Sequence, residues 1–153
     1  MGFDHGAWTI LKHIYPAADI PVFQMSIDYD KPPRWHFDLA AELKGLREKG
    51  VLIIGSGNIV HNLRLATFNN PSNKFDWVVA FDEYVKQRIL AGDYGALINY
   101  HQFGRAAQLS VPTPDHYFPL LDSLGLLDKK EAVKFTYEEV LGGSMSMRCF
   151  ESV

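Results

Sequence analysis

Residues 51–58 of the chain read VLIIGSGN. The four apolar residues at 51–54 predict a short strand that is buried on both faces, as strands inside a parallel sheet are. The glycine-rich turn that follows, residues 55–58, is expected at the carboxyl end of that strand. Ligands bind at this end of the strands in open α/β sheets, so the turn is a candidate binding position.

The residues before this stretch complete a predicted strand–helix–strand unit. The apolar residues within Ile20–Ile27 predict a first buried strand. A helix is predicted to begin at Pro32-Pro33, because proline favours the first turn of a helix, and to end at Gly50. Two strands joined through a helix run parallel with a right-handed crossover, so this unit predicts a parallel core for the sheet.

The remaining elements are predicted from apolar spacing and turn residues. Helices are expected over Ala7–Tyr15, Phe75–Leu90, Tyr94–Phe103 and His116–Leu124, and strands over Val133–Val140 and Ser144–Phe150 with a hairpin turn at 141–143. The predicted fold class is therefore α/β, a three-layer α/β/α sandwich with a mixed, mostly parallel central sheet.

The composition of the 153 residues is that of one globular domain, with a net charge of −3. Phosphate binding needs a basic face and the chain has no run of Lys or Arg, so we expect no nucleic-acid partner. No apolar stretch reaches the roughly 20 residues that span a bilayer, so we expect no membrane partner. The lone Cys149 excludes an intramolecular disulfide, favours the reducing cytoplasm and is expected in the core.

Three of the six histidines lie beside turn-forming residues and are candidates for chemistry. His61 follows the glycine-rich turn, where an imidazole suits zinc, iron or copper, although a lone histidine there is more often bonded to the backbone. His116 follows the stiff loop 112–114, in which each proline ring fixes φ. His5 follows Asp4, whose carboxylate could hold one ring nitrogen while the other is presented. The other three, His13, His36 and His101, fit surface or half-buried positions on helices.

Two other kinds of site lack their motifs. The turn at 55–58 has neither the G-x-G-x-x-G spacing of dinucleotide sites nor the lysine of a P-loop. The chain contains no G-x-S-x-G nucleophile elbow. We therefore expect neither a nucleotide site nor a serine hydrolase.

Four blocks of sequence, taken in order, resemble one known family. They are Gly2–Trp8 (GFDHGAW), Val51–Arg64 (VLIIGSGNIVHNLR), Pro112–Tyr117 (PTPDHY) and Gly143–Arg148 (GSMSMR). The similarity extends over nearly the whole chain and is most specific in the block that ends at Arg64. The chain resembles the class III extradiol dioxygenase superfamily, and most closely its 4,5-DOPA dioxygenase branch.

The resemblance implies a set of site residues and a cofactor. It implies His61 as a metal ligand, His116 and His5 as acid/base residues, and Asn62, Arg64 and Tyr117 as substrate contacts. The implied cofactor is one Fe(II) or Zn(II) ion for each complete site. Several relatives carry a histidine where this chain has Val111, so that contact is expected to be missing or replaced.

The resemblance also implies that residues 1–153 are the C-terminal portion of a single catalytic domain. Full-length relatives are longer, and their N-terminal part supplies two further histidines to the metal. The chain opens directly on the loop-like residues 2–6, in agreement with this expectation. Asp28 is a weaker candidate ligand. Because one ligand does not hold iron in a working geometry, the chain alone is expected to bind metal weakly and to be inactive.

The implied reaction uses dioxygen to open the ring of a catechol, such as DOPA, next to its two hydroxyl groups. A base must take a catechol proton, and an acid must assist cleavage of the O–O bond. An imidazole with a pKa near ~6.5 can do either at neutral pH. His116 is the predicted acid/base residue, with His5 second.

Two other functions stay open at this point. A non-enzymatic relative of the same fold would act as an adaptor or signalling module, and its histidines would be structural. A truncated chain would act as an interaction module, because sheet edges and apolar faces would be uncovered without an upstream N-terminal segment. This alternative predicts self-association as a homo-oligomer.

Overall fold

The computed structural model describes residues 2–69, 73–128 and 130–153. Along these residues the helices are α1 (His5–Ile14), α2 (Pro33–Glu42), α3 (Asp76–Leu90), α4 (Tyr94–Ile98), α5 (Arg105–Ser110) and α6 (Phe118–Gly125). Short 3-10 turns cover Lys44–Lys49, Leu63–Leu65, Tyr100–Phe103 and Pro114–His116. The strands are β1 (Val133–Tyr137), β2 (Val140–Leu141), β3 (Met145–Ser146) and β4 (Cys149–Ser152). No helix in the described ranges has the length and apolar character to cross a bilayer.

The predicted helices are confirmed, with shifted ends. The carboxylate of Asp4 begins α1 by accepting a hydrogen bond from the backbone N–H of Gly6 at 2.9 Å. α2 begins at Pro33 as expected, but its last part is a 3-10 turn that ends at Gly50, where φ is +79°. The segments predicted as helices at 94–103 and 116–124 are each divided between an α-helix and a 3-10 turn.

The hydrophobic core lies between α3, α6 and the residues before His61. Phe81 and Val85 of α3 and Leu121 of α6 are fully buried. Burying a side chain of this size stabilises the fold by about 1.5–3 kcal/mol. Val60 belongs to the same cluster and is also fully buried, so the backbone that carries His61 is anchored in the core.

α2 packs closely on α6 because of a glycine. A Cβ atom at Gly125 would collide with the backbone oxygen of Phe37. His36 is buried at this contact, with its ring centroid 4.4 Å from that of Phe118. Its Nε2 lies 3.0 Å from the backbone oxygen of Asp28. The expected surface or half-buried position of His36 is therefore wrong, because its imidazole fills the space between the two helices.

The strands form two small antiparallel sheets. β1 pairs with β4 and β2 pairs with β3. The turn between β2 and β3 contains Gly142 and Gly143, whose φ values of +56° and +75° favour glycine. The predicted hairpin is therefore confirmed. Cys149 on β4 is exposed rather than buried, because neighbouring side chains on a strand alternate and Phe150 faces the core.

Residues 20–27 and 51–54, hereafter the uncovered segments, are not strands in the described structure. The prediction of strands there is wrong for these residues, and the described sheets are antiparallel instead of mostly parallel. A strand exists only where a neighbouring backbone supplies hydrogen bonds, and the described chain supplies no ladder at these positions. Most of their apolar side chains face solvent, with Phe23 77% exposed and Leu52 64% exposed, while Ile27 packs against the core.

Candidate active site

The segment Asn58–Asn62 is hydrogen bonded to the Pro114–His116 turn and to the end of α5. The backbone N–H of Asn58 donates to the carbonyl of His116 at 2.9 Å. The backbone N–H of His61 donates to the carbonyl of Ser110 at 2.9 Å. Two of the predicted site residues, His61 and His116, are therefore positioned by the same segment.

Strand β3 lies on the other side of this segment. The backbone N–H of Ser146 donates to the carbonyl of Val60 at 2.9 Å. The side-chain amide of Asn58 donates to the carbonyl of Ser146 at 2.8 Å, and the backbone N–H of Asn62 donates to the carbonyl of Ser144 at 3.1 Å. Three sequence blocks that are distant along the chain therefore meet at one place.

His61 and His116 stack face to face. Their ring centroids are 3.5 Å apart and their ring planes are inclined by 17°. Both side chains are partly buried, and Nδ1 of His116 is buried without a hydrogen-bond partner among the described residues. Two adjacent imidazoles of this kind can bind a metal ion or transfer a proton.

The surroundings of His61 favour its neutral form. Partial burial lowers the pKa of His61 below its ordinary value, and the nearby charge of His116 lowers this pKa further, while Asp115 acts in the opposite direction. A neutral imidazole has a lone pair available for a metal ion or a proton. The electrostatics therefore agree with the role predicted for His61.

Asp115 is a site residue that the sequence reasoning missed. Its Oδ2 lies 3.7 Å from Nε2 of His116. Burial alone would raise the pKa of Asp115, but hydrogen bonds from Thr113 and the backbone, the charge of His116 and a hydrogen bond from Tyr29 lower it overall. The carboxylate is therefore ionised at neutral pH. Its place next to His116 in a stiff loop could have identified it, whereas Tyr29 has no such signal in the sequence.

Two glycines bring α1 and the His116 loop close to the glycine-rich turn. A Cβ atom at Gly57 would collide with the backbone oxygen of His116. A Cβ atom at Gly6 would lie 3.3 Å from Oγ of Ser56. The first turn of α1 therefore lies against Ser56. The loop that carries His116 lies against Gly57, the next residue of the glycine-rich segment.

His5 is the first residue of α1 and is exposed. Its ring packs edge-on against Trp8, with the ring centroids 5.5 Å apart. The carboxylate of Asp4 caps the helix through the N–H of Gly6, so it acts on the backbone and not on the His5 ring. The structure places His5 near the glycine-rich turn and outside the stacked pair.

The three predicted substrate contacts have different surroundings. Asn62 is buried, and its side-chain amide donates to the carbonyl of Leu109 at 2.8 Å. Tyr117 is fully buried, and its hydroxyl donates to the carbonyl of Leu97 at 3.0 Å. Arg64 is exposed in its 3-10 turn. Of the three, only Arg64 is accessible to a ligand, while Asn62 and Tyr117 hold the local fold.

The described residues fit one part of a metal site. Among them, no group of three or more His, Cys, Asp or Glu side chains is placed to hold a metal ion. A non-haem iron site needs about three protein donors on one face, and the stacked pair offers imidazoles from His61 and His116 only. The carboxylate of Asp28 instead accepts a hydrogen bond from the N–H of Asp30 at 3.0 Å.

Comparison with known proteins identifies one family. The sequence model for the catalytic LigB subunit of aromatic ring-opening dioxygenase matches residues 1–146. The chain is 43% identical over 151 residues to 4,5-DOPA dioxygenase extradiol of Escherichia coli strain K12. It is 33% identical over 145 residues to the protein of the same name from Beta vulgaris. These matches cover 95% of this chain but 55% and 54% of those proteins, so the chain spans about half their length.

A solved structure has a closely similar fold. The crystal structure of an uncharacterized protein from Escherichia coli K12 matches this chain with a TM-score of 0.90 at 41% sequence identity. The match covers 98% of this chain and 62% of that one. The mixed α/β architecture predicted from the sequence is thereby confirmed.

Proposed function

The chain belongs to the LigB family of aromatic ring-opening dioxygenases, and from this premise we propose that it forms the His61-bearing part of an extradiol dioxygenase. The proposed substrates are dioxygen and a catechol such as DOPA. The stacked pair of His61 and His116, 3.5 Å apart, is the observation that carries this proposal. Residues from two separate sequence blocks form this pair, as an active site requires.

His61 is proposed as one ligand of a single Fe(II) or Zn(II) ion. A ligating histidine must be neutral, and burial together with the charge of His116 lowers the pKa of His61 in that direction. A non-haem metal ion supplies open positions at which catechol and dioxygen are brought together. The remaining donors are proposed to come from outside residues 1–153, so this chain alone is proposed to be inactive.

His116 is proposed to take a proton from a catechol hydroxyl group and to return it when the O–O bond is cleaved. Its Nδ1 is buried and makes no hydrogen bond within the described residues, so no other group of the described chain occupies its lone pair or proton. His5, which is exposed at the start of α1, is proposed as the second acid/base residue.

Arg64 is proposed to bind the substrate through its exposed guanidinium group. A substrate such as DOPA carries a carboxylate, which guanidinium groups bind with two hydrogen bonds. Asn62 is proposed to orient the backbone beside His61 through its bond to Leu109. Tyr117 is proposed to support the same site from the core, through its bond to Leu97.

An upstream N-terminal segment is proposed to complete both the sheet and the metal site. The uncovered segments carry solvent-facing apolar side chains, and the relatives are about twice as long as this chain. Strands of the added segment would pair with the uncovered segments and give the three-layer α/β/α sandwich with a mostly parallel sheet.

The test combines this chain with a second polypeptide, the part of the Escherichia coli relative that lies outside the matched region. We expect the assembled pair to bind one Fe(II) ion and to consume oxygen when DOPA is added, and each polypeptide alone to do neither. His61→Ala should abolish both properties. The matched control is His101→Ala, which removes an exposed imidazole from the Tyr100–Phe103 turn and should leave both properties unchanged.

Two results would contradict the proposal. One is DOPA-dependent oxygen consumption that His61→Ala leaves intact. The other is an assembled pair, verified by size-exclusion chromatography, that consumes no oxygen with any simple catechol.

A non-enzymatic adaptor is the second candidate function. It is favoured by one observation, because no three-donor cluster exists within the residues that the structure describes. The same experiment separates the two candidates. An assembled pair that takes up no stoichiometric Fe(II) and consumes no oxygen supports the adaptor.

A further inference from the structure

The carboxylate of Asp115 and the imidazole of His116 are neighbours in the Pro114–His116 turn. Oδ2 of Asp115 lies 3.7 Å from Nε2 of His116, within ion-pair range but longer than a hydrogen bond. Each group also has one buried atom without a hydrogen-bond partner among the described residues. These atoms are Oδ1 of Asp115 and Nδ1 of His116. Leaving a buried polar atom unpartnered is energetically unfavourable, so such atoms call for an explanation.

The backbone around this pair is held at several points. Pro112 and Pro114 fix φ on either side of Thr113. The carbonyl of His116 accepts the N–H of Asn58 at 2.9 Å, and the turn packs against Gly57.

We propose that Asp115 is a positioning residue, which holds neutral His116 with its proton on Nε2 and its lone pair on Nδ1. A carboxylate beside one ring nitrogen fixes the tautomer and the orientation of a histidine. Nδ1 is then the ring nitrogen that can accept a proton. The catalytic role of this tautomer rests on the proposed function, but the tautomer itself can be measured in this chain alone.

The test is nitrogen-15 NMR of the histidine-labelled chain at a pH where the imidazoles are neutral. His116 is assigned by its disappearance in His116→Gln. We expect the Nε2–H tautomer of His116 in the parent chain. Asp115→Asn should shift the population toward the Nδ1–H tautomer, and Asp115→Glu should restore it.

A control variant removes an equivalent charge elsewhere. Asp38→Asn neutralises a carboxylate that is paired with Arg34. This variant should not change the His116 resonances. The inference is overturned if the parent chain already shows the Nδ1–H tautomer, or if Asp115→Asn leaves the tautomer unchanged.

Kinetics of the assembled pair provide the second readout. Asp115→Asn should lower kcat by about 10–100-fold with little change in KM, because a positioning residue acts on the chemical step. An unchanged kcat would also overturn the inference. If the tautomer responds to Asp115→Asn but the parent pair consumes no oxygen, the proposed function fails while the positioning role stands.

Discussion

Asp122 on α6 is a carboxyl group that is largely removed from water. Its Oδ1 lies 3.8 Å from Nδ1 of His36 on α2 and has no hydrogen-bond partner among the described residues. Burial raises the pKa of Asp122 to about 6, and His36 opposes this shift. An acid whose pKa rises on folding stabilises the folded state when it is protonated. That stabilisation is complete below about pH 4 and is lost as the pH rises through about 6.

Asp122→Asn is therefore expected to raise the free energy of unfolding at pH 7 by about 1–3 kcal/mol. The amide has the shape of the protonated acid and carries no charge that must be desolvated. The difference from the parent should narrow as the pH falls toward 4, and urea unfolding from pH 4 to pH 8 measures it. Asp38→Asn, at an exposed ion pair, should show no such trend. A variant less stable than the parent at pH 7 would show that Asp122 is ionised and paired with His36.

The roles of the site residues stay predictions, but the proximity of two of them has a physical cause. His61 and His116 lie together because Gly57 lets the His116 loop approach closely, and the prolines of that loop fix φ. The resemblance implies Tyr117 as a substrate contact, but Tyr117 is fully buried. Successive residues of a helical turn point in directions about 100° apart, so adjacency in a motif does not tell which neighbour faces the site.

The close contact between the glycine-rich turn and the His116 loop depends on the absence of a side chain at Gly57. A Cβ atom there would collide with the backbone oxygen of His116, so Gly57→Ala is expected to destabilise the fold by about 1–3 kcal/mol through overpacking. Gly45→Ala is the matched control, because nothing lies within 4 Å of the added methyl group. Urea unfolding compares the two. Equal stabilities for both variants would mean that the His116 loop moves aside at no cost.

Arg148 joins the C-terminal strands to α3 through a buried ion pair. Its side chain is 5% exposed, and its Nε lies 3.1 Å from both carboxylate oxygens of Asp82. The hydroxyl of Ser146 donates to the same carboxylate. These contacts connect α3 to β3, the strand that lies beside the segment that carries His61.

Arg148→Met should lower the free energy of unfolding by about 3–5 kcal/mol, because it leaves the Asp82 carboxylate buried without its partner. Arg34→Met breaks the exposed pair with Asp38 and should cost at most about 1 kcal/mol. Chemical denaturation of the two variants gives the comparison. The double variant Asp82→Leu, Arg148→Met should be more stable than Arg148→Met alone. If it is not, the unpaired charge of Asp82 is not the cause of the lost stability.

Helices could be predicted from the sequence more reliably than strands. The apolar spacing in α3 describes contacts that the helix makes itself, and α3 forms where it was expected. The apolar runs at 20–27 and 51–54 indicate that these residues suit burial, but not which backbone lies beside them. A strand needs that neighbour, and the described chain does not provide it.

The whole molecule presents apolar side chains along the uncovered segments. Phe23 and Leu52 are 77% and 64% exposed. Contiguous exposed apolar surface of this kind mediates association. We therefore expect the chain alone to self-associate at micromolar concentrations in sedimentation velocity. Phe23→Lys combined with Leu52→Lys should shift the distribution toward monomer, whereas Leu90→Lys, at an exposed leucine on α3, should not. A parent chain that sediments as one monomeric species would contradict this expectation.

The uncovered segments also bear on the lifetime of the chain inside a cell. Chaperones and proteases act on chains that expose apolar side chains, and they sort such chains between refolding and degradation. The abundance of this protein would then depend on the amount of the polypeptide that covers residues 20–27 and 51–54. It would depend less on the stability of its own core. Synthesis without that supply would lead to rapid turnover.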